Sequence, residues 1–116
     1  YKNQAIQFML ADMATKIEVS RAFGLHVADL LDNGEGSQVS KLASMAKLFS
    51  TDVLQTVVSD AVQILGGYGY MRDFPVEKLM RDAKVYQIFE GTNQIQRIVI
   101  FNSILKENRI SANWKG

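Results

Sequence analysis

The sequence predicts an all-α protein, an antiparallel four-helix bundle, and three observations lead to this prediction. Apolar residues recur through long segments, mostly at steps of three, four or eight, which is the spacing of one helical face. Most glycines are grouped between these segments, and Pro75, the only proline, also lies at a boundary. Short turns between such segments favour antiparallel neighbours, and no strand–helix alternation is visible.

The first two predicted helices are long. The first spans about residues 3–31, and the polar, glycine-containing residues 32–36 form a predicted turn. The second spans about residues 37–65. The length of its apolar pattern favours a buried helix over the strand that three β-branched residues also allow: Val57, Val58 and Val62.

The remaining segments are shorter. Residues 66–70 are predicted as a turn, because each glycine inside a helix costs about 1 kcal/mol relative to alanine. A third helix begins near Pro75, which suits a first helical turn, and ends at Glu90–Gly91. Thr92 suits the N-cap of a fourth helix, and the chain closes with a polar tail over about 108–116.

Composition narrows the function classes. A chain of 116 residues with 47% hydrophobic and 22% charged residues fits one globular domain. A net charge of +1 with dispersed Lys and Arg predicts no nucleic-acid partner, and no apolar run reaches the ~18 residues of a membrane span. No cysteine is present, and His26 alone cannot build a di-iron bundle or, without a nucleophile elbow, a hydrolase triad. No metal site is predicted.

Two segments carry chemical information, and the first is the glycine-rich stretch over 63–70. Three glycines within four residues let the backbone approach a ligand and expose N–H groups, and a phosphate or pyrophosphate is one candidate. The alternative is a helix C-cap followed by a tight turn that needs positive φ. The residues alone favour the cap and leave the ligand open.

The second segment surrounds Glu90, where one predicted helix ends and another begins. A carboxylate at a helix C-terminus opposes the helix dipole, and the apolar neighbours Ile88 and Phe89 would remove it from water. Both effects disfavour the ionised form, as suits a base that abstracts a proton near neutral pH. The alternative, which the residues alone favour, is an exposed glutamate beside a glycine cap.

Taken together and in order, three stretches resemble the C-terminal domain of the acyl-CoA dehydrogenases. Residues 4–13 resemble its opening helix, residues 60–70 its glycine-rich turn, and residues 75–97 the segment that carries the catalytic base. The resemblance implies that residues 1–116 form one such helical domain. The N-terminal helical domain and the middle β domain of the family would then lie outside this chain.

The resemblance also implies a reaction, a cofactor and partners. Members of the family bind FAD and oxidise acyl-CoA thioesters to trans-2-enoyl-CoA. Most are homotetramers, built as dimers of dimers, and pass electrons to an electron-transfer flavoprotein. The expected location is the bacterial cytoplasm or the mitochondrial matrix. On the same fold the alternative reaction is that of an acyl-CoA oxidase, and the alternative role is a helical oligomerisation or scaffold module without chemistry of its own.

The resemblance assigns substrate roles to two residues. Glu90 resembles the base that removes the α-proton, and its backbone N–H, with a ribityl hydroxyl of FAD, would hydrogen-bond the thioester carbonyl. Gly91 would let the chain pass close to the substrate. Phe89 departs from the tyrosine that relatives often carry there, and it keeps the ring while losing the hydroxyl.

Five further residues are expected to contact the cofactor through the same resemblance. Thr92 and Gln94 resemble residues that contact FAD. Gln63, Gly66 and Gly67 resemble the stretch that meets the ADP half of an FAD held mainly by a neighbouring subunit. An arginine and a phenylalanine that often precede the opening helix, and that meet the partner's FAD, have no counterpart in this sequence, which argues against independent FAD binding.

Overall fold

The computed structural model describes residues 2–34 and 36–108, and over these residues the predicted all-α fold is confirmed. All four predicted helices are present, a fifth short one is added, and the described residues contain no strand. The helices are α1 Gln4–Asp32, α2 Gly36–Leu65, α3 Gly67–Tyr70, α4 Val76–Tyr86 and α5 Asn93–Glu107. The predicted polar tail lies outside the described residues beyond Asn108.

Helix α2 lies at the centre of the fold and contacts each of the other four helices. Each of the two long helices extends for about 45 Å, at about 1.5 Å per residue. The turn between them begins where the Asn33 N–H donates to the Asp29 carbonyl at 3.0 Å, so α1 folds back along α2. Among the described helices α1 contacts only α2, which leaves the opposite side of α2 for α4 and α5.

The glycine-rich stretch is where the sequence prediction was wrong in detail. It was predicted as a turn, but Gly67–Tyr70 forms one helical turn after Gly66, whose φ of 59° breaks α2. Packing explains why a glycine lies inside α3. A Cβ added to Gly69 would lie 2.6 Å from the Val62 carbonyl oxygen, so only glycine lets α3 lie this close to α2.

Few side chains are fully enclosed. Among the described residues, the buried hydrophobic side chains are three valines and one alanine: Val27, Val39, Val58 and Ala83. Large apolar side chains on α1 and α5 are instead exposed, among them Phe8, Leu25, Ile98 and Phe101. The described residues therefore leave apolar faces uncovered to an extent that monomeric globular proteins seldom show. None of the described helices is both long enough and apolar enough to cross a membrane.

The close approach of α3 to α2 yields a paired test. We expect Gly69→Ala to lower the free energy of unfolding by about 1–3 kcal/mol, because the added methyl group meets backbone that cannot yield cheaply. Gly67→Ala is the matched control, since no atom lies within 4 Å of its added Cβ, and it should change stability by less than about 1 kcal/mol. Urea unfolding followed by circular dichroism measures both, and equal stability of the two variants would contradict the packing argument.

Candidate functional site

Residues 87–92 form a turn between α4 and α5, which we call the Glu90 turn. The third helix was predicted to end at Glu90–Gly91, but α4 ends at Tyr86. Past that point the Val85 carbonyl accepts the N–H groups of both Ile88 and Phe89, each at 2.9 Å, and the helical pattern stops. The Asn93 N–H then donates to the Gln87 carbonyl at 3.0 Å and closes the turn.

The backbone is left-handed at two successive positions of this turn. Glu90 has a φ of 53° and Gly91 a φ of 88°. Gly91 adopts this conformation without steric cost, whereas a residue with a side chain pays about 1–3 kcal/mol. Glu90 is the only residue other than glycine with positive φ among residues 2–34 and 36–108. Strain of this kind persists where surrounding contacts impose it, and it is concentrated at functional sites.

Hydrogen bonds hold both left-handed residues through their carbonyl groups. Lys47 Nζ, from α2, donates to the Gly91 carbonyl at 2.9 Å. Gln96 Nε2, from the first turn of α5, donates to the same carbonyl at 3.2 Å and to the Glu90 carbonyl at 3.4 Å. The turn is therefore held by hydrogen bonds from α2 and from α5.

Asn93 anchors the end of the turn and is only 3% exposed. Its Oδ1 accepts a hydrogen bond from Lys47 Nζ at 2.7 Å. Its Nδ2 donates to Thr51 Oγ1 and to Asp52 Oδ1, both at 2.8 Å. A buried amide needs such partners, because each unmet hydrogen bond costs about 1–3 kcal/mol. Here every polar atom of the side chain is paired.

Asp52 connects three parts of the fold through one carboxylate. Its Oδ1 accepts from Gln87 Nε2 at 2.7 Å as well as from Asn93, and its Oδ2 accepts from Arg97 at 3.2 Å. Arg97 also donates to the Asn93 carbonyl at 3.1 Å, along α5. We call this set the Asp52–Asn93 network, and its members are Lys47, Thr51, Asp52, Gln87, Asn93 and Arg97.

Sequence reasoning assigned no function to the α2 members of this network. A signal was available, since Lys47 and Thr51 are four residues apart and so share one face of α2, and Asp52 directly follows Thr51. Polar residues on the same side of a helix as apolar core positions indicate a buried polar partner. The partner itself lies more than 40 positions along the chain, and spacing within one helix does not identify it.

The surroundings of Glu90 differ from the sequence expectation. Ile88 and Phe89 are 54% and 43% exposed, and Glu90 is exposed as well, so within the described residues these neighbours do not enclose the carboxylate. Glu90 also lies beyond the last turn of α4, where the effect of the helix dipole has fallen away. Phe89 packs instead edge-on against Tyr86, with ring centroids 5.1 Å apart.

Of the predicted cofactor residues, Thr92 ends the Glu90 turn and Gln94 follows it in α5. The Thr92 hydroxyl oxygen accepts the Ile95 N–H at 3.3 Å, which confirms the predicted N-cap of α5. Thr92 and Gln94 line a cavity of about 260 Å³ together with Asp52, Lys84 and other residues of the turn. Gln94 is exposed, so its amide is available to a ligand.

The other three predicted cofactor residues form a separate cluster at the end of α2. Gln63, Gly66 and Gly67 are all exposed, and no atom lies within 4 Å of a Cβ added to either glycine. Asp52, below the Glu90 turn, precedes Gln63 by eleven positions, or about 17 Å along the helix axis. The structure therefore brings Glu90, Gly91, Thr92 and Gln94 together and leaves the glycine-rich cluster apart from them.

Comparison with known proteins gives one family. Residues 1–105 match the family described as acyl-CoA dehydrogenase, C-terminal domain. The acyl-CoA dehydrogenase of Bacillus subtilis is 55% identical over 103 residues, which cover 89% of this chain and 27% of that protein. The chain thus spans about a quarter of the length of this relative.

Two solved structures share the fold. A chain in the structure of the electron transferring flavoprotein of Acidaminococcus fermentans is 54% identical with a TM-score of 0.84, over 90% of this chain and 27% of that one. Butyryl-CoA dehydrogenase from Megasphaera elsdenii is 43% identical with a TM-score of 0.83, over the same shares of the two chains.

The burial of Asn93 gives a test on stability. We expect Asn93→Ala to lower the free energy of unfolding by about 2–3 kcal/mol, because Asp52 and Thr51 lose a partner and a small cavity opens. Asn102→Ala is the control, since Asn102 is exposed on the same helix, and it should change stability by less than about 0.5 kcal/mol. Chemical unfolding curves of the two variants compare them, and a loss for Asn93→Ala no larger than that of the control would refute the anchoring role.

Proposed function

Because the chain belongs to the acyl-CoA dehydrogenase family, we propose that residues 1–116 are the C-terminal domain of an FAD-dependent enzyme that converts acyl-CoA thioesters to trans-2-enoyl-CoA. Glu90 is the proposed base. The observation that carries this assignment is the left-handed backbone of Glu90, imposed by hydrogen bonds from two helices. No structural requirement of the turn calls for glutamate at a position where glycine would be free of strain.

The proposed proton step uses both polar parts of Glu90. The carboxylate accepts the proton from the α-carbon, and the electron pair of that C–H bond passes into the thioester as an enolate. The Glu90 backbone N–H donates to the thioester oxygen, where the negative charge develops. Gly91, without a side chain, leaves room for the substrate beside this N–H. FAD, when bound, supplies the acceptor for the hydride that leaves the β-carbon.

The residues proposed to hold FAD fit such a ligand. The Thr92 hydroxyl uses its oxygen to cap α5, so its proton remains available to donate to a flavin oxygen or nitrogen. The open space at Gly66 and Gly67 admits a phosphate group close to the backbone. The separation of about 17 Å along α2 between the two clusters supports their contact with different parts of FAD. Thr92 and Gln94 would contact FAD at the Glu90 turn, and the glycine-rich cluster would meet the ADP half of an FAD molecule held mainly by a neighbouring subunit.

Assembly and electron transfer are part of the same proposal. The uncovered apolar faces of α1 and α5 support a homo-oligomer, a dimer or tetramer, together with the further domains of a longer protein. The proposed electron acceptor is an electron-transfer flavoprotein, and the similar chain in the Acidaminococcus fermentans structure supports it. The similarity to proteins of Bacillus and Megasphaera favours the bacterial cytoplasm over the mitochondrial matrix.

The role of Glu90 is tested in the full-length, FAD-bound protein by Glu90→Gln. We expect kcat for acyl-CoA oxidation to fall by at least about a hundredfold, because the amide cannot accept the α-proton. Bound flavin should stay at the wild-type level, since the backbone of the turn is kept. Glu18→Gln, on the exposed face of α1, is the control and should retain the wild-type rate. A Glu90→Gln variant with the wild-type rate would remove Glu90 from the base role.

The reaction class is tested by titrating the full-length protein with butyryl-CoA and octanoyl-CoA without oxygen. Bleaching of the flavin spectrum is the expected outcome, and the more effective thioester indicates the preferred chain length. Rapid reoxidation when oxygen is admitted would assign the protein to the oxidases. A full-length protein that stays colourless when FAD is supplied would instead support the scaffold role.

A further inference from the structure

We propose that Lys47 is a positioning residue for the base, and that it acts by fixing the left-handed conformation of the Glu90 turn. This inference rests on the proposed function of Glu90. Lys47 belongs to α2 and is 43 positions away along the chain, and no motif in the sequence connects the two residues. The connection comes from the hydrogen bonds of its ammonium group.

The ammonium group of Lys47 bridges two points of the turn. It donates to the Gly91 carbonyl at 2.9 Å and to Asn93 Oδ1 at 2.7 Å. Asn93 is itself fixed in the interior by Thr51 and Asp52, so Lys47 connects the carbonyl that follows Glu90 to a buried anchor. Charge-assisted hydrogen bonds of this length are about twice as strong as neutral ones.

The hydrogen bonds from Gln96 to the same turn are longer than those from Lys47. Gln96 reaches the Gly91 and Glu90 carbonyls only at 3.2 and 3.4 Å, and it does so with a neutral amide. Without Lys47 the peptide after Gly91 would lose its only charged partner among the described residues. The turn would then be free to relax from a conformation that Glu90 does not favour.

The relaxation matters because a single residue supplies both polar groups of the proton step. The carboxylate and the backbone N–H of Glu90 are attached to the same α-carbon, so one backbone rotation moves both away from the substrate. Displacement of a reacting group by about 1 Å can lower the rate about a hundredfold. Binding of the distant parts of a CoA thioester would be little affected.

The experiment compares Lys47→Met with Lys41→Met in the full-length, FAD-bound protein, with rates expressed per bound flavin. Lys41 is the matched control, because it is also a lysine of α2 bonded to the α5 side, but its partner is Glu107, far from the turn. We expect Lys47→Met to lower kcat about tenfold to a hundredfold with KM changed by less than about threefold. The kinetic isotope effect of an α-deuterated acyl-CoA should rise, since proton transfer becomes slower. Lys41→Met should leave all three quantities near the wild type.

A second substitution, Lys47→Gln, keeps the inference testable if the Lys47→Met protein does not fold. Lys47→Gln keeps a neutral donor on a side chain that is one bond shorter, and it should fall between wild type and Lys47→Met in kcat and isotope effect. If the per-flavin kcat of Lys47→Met, or of Lys47→Gln where only that variant folds, matches Lys41→Met, the inference is overturned. Glu90→Gln separates the two failures: loss of activity in Glu90→Gln with none in the Lys47 variants leaves the proposed function intact, whereas activity in Glu90→Gln removes the basis for both.

Discussion

The buried side chain of Asn93 fixes the position of α5 on the central helix α2. Asn93 begins α5, closes the Glu90 turn through its N–H, and places its amide against α2 between Thr51 and Asp52. A buried amide is tolerated only when its donors and acceptors are paired, so the position of α5 on α2 and the path of the turn are set by the same hydrogen bonds. Beside this anchor, Lys47 and Gln96 hold the left-handed backbone through the carbonyls of Glu90 and Gly91.

The helices were predictable from the sequence because their apolar spacing is local information. The bounds of α1 and α2 agree with prediction to within one residue, and Thr92 was identified as a cap from its residue type and place. The end of α4 was not predictable in the same way. Residues 87–90 are compatible with a helix by composition, and the helix stops where Gln87 and Asn93 find partners on α2.

Some residues of the candidate site were predicted from the sequence, and others were found only in the structure. The resemblance to the family selected Glu90, Gly91, Thr92 and Gln94, which are neighbours in the sequence, and of these Thr92 and Gln94 line one cavity. It could not indicate Lys47 or Asp52, because their importance lies in contacts between distant parts of the chain. The residue pattern had placed Glu90 at the end of a helix, whereas it lies in the turn that follows α4. Within the described residues the Glu90 side chain is exposed.

The Asp52–Asn93 network has a consequence for how the helices align. Apolar faces alone would let α5 slide along α2 by one helical turn, about 5.4 Å, at little loss of buried area. Such a slip would take the Asn93 amide away from Thr51 and Asp52 and leave this buried group without those partners. The buried amide thus selects one register of the two helices, as buried asparagines do in coiled coils. The alignment of the whole helix pair is thereby fixed at the same place as the proposed chemistry.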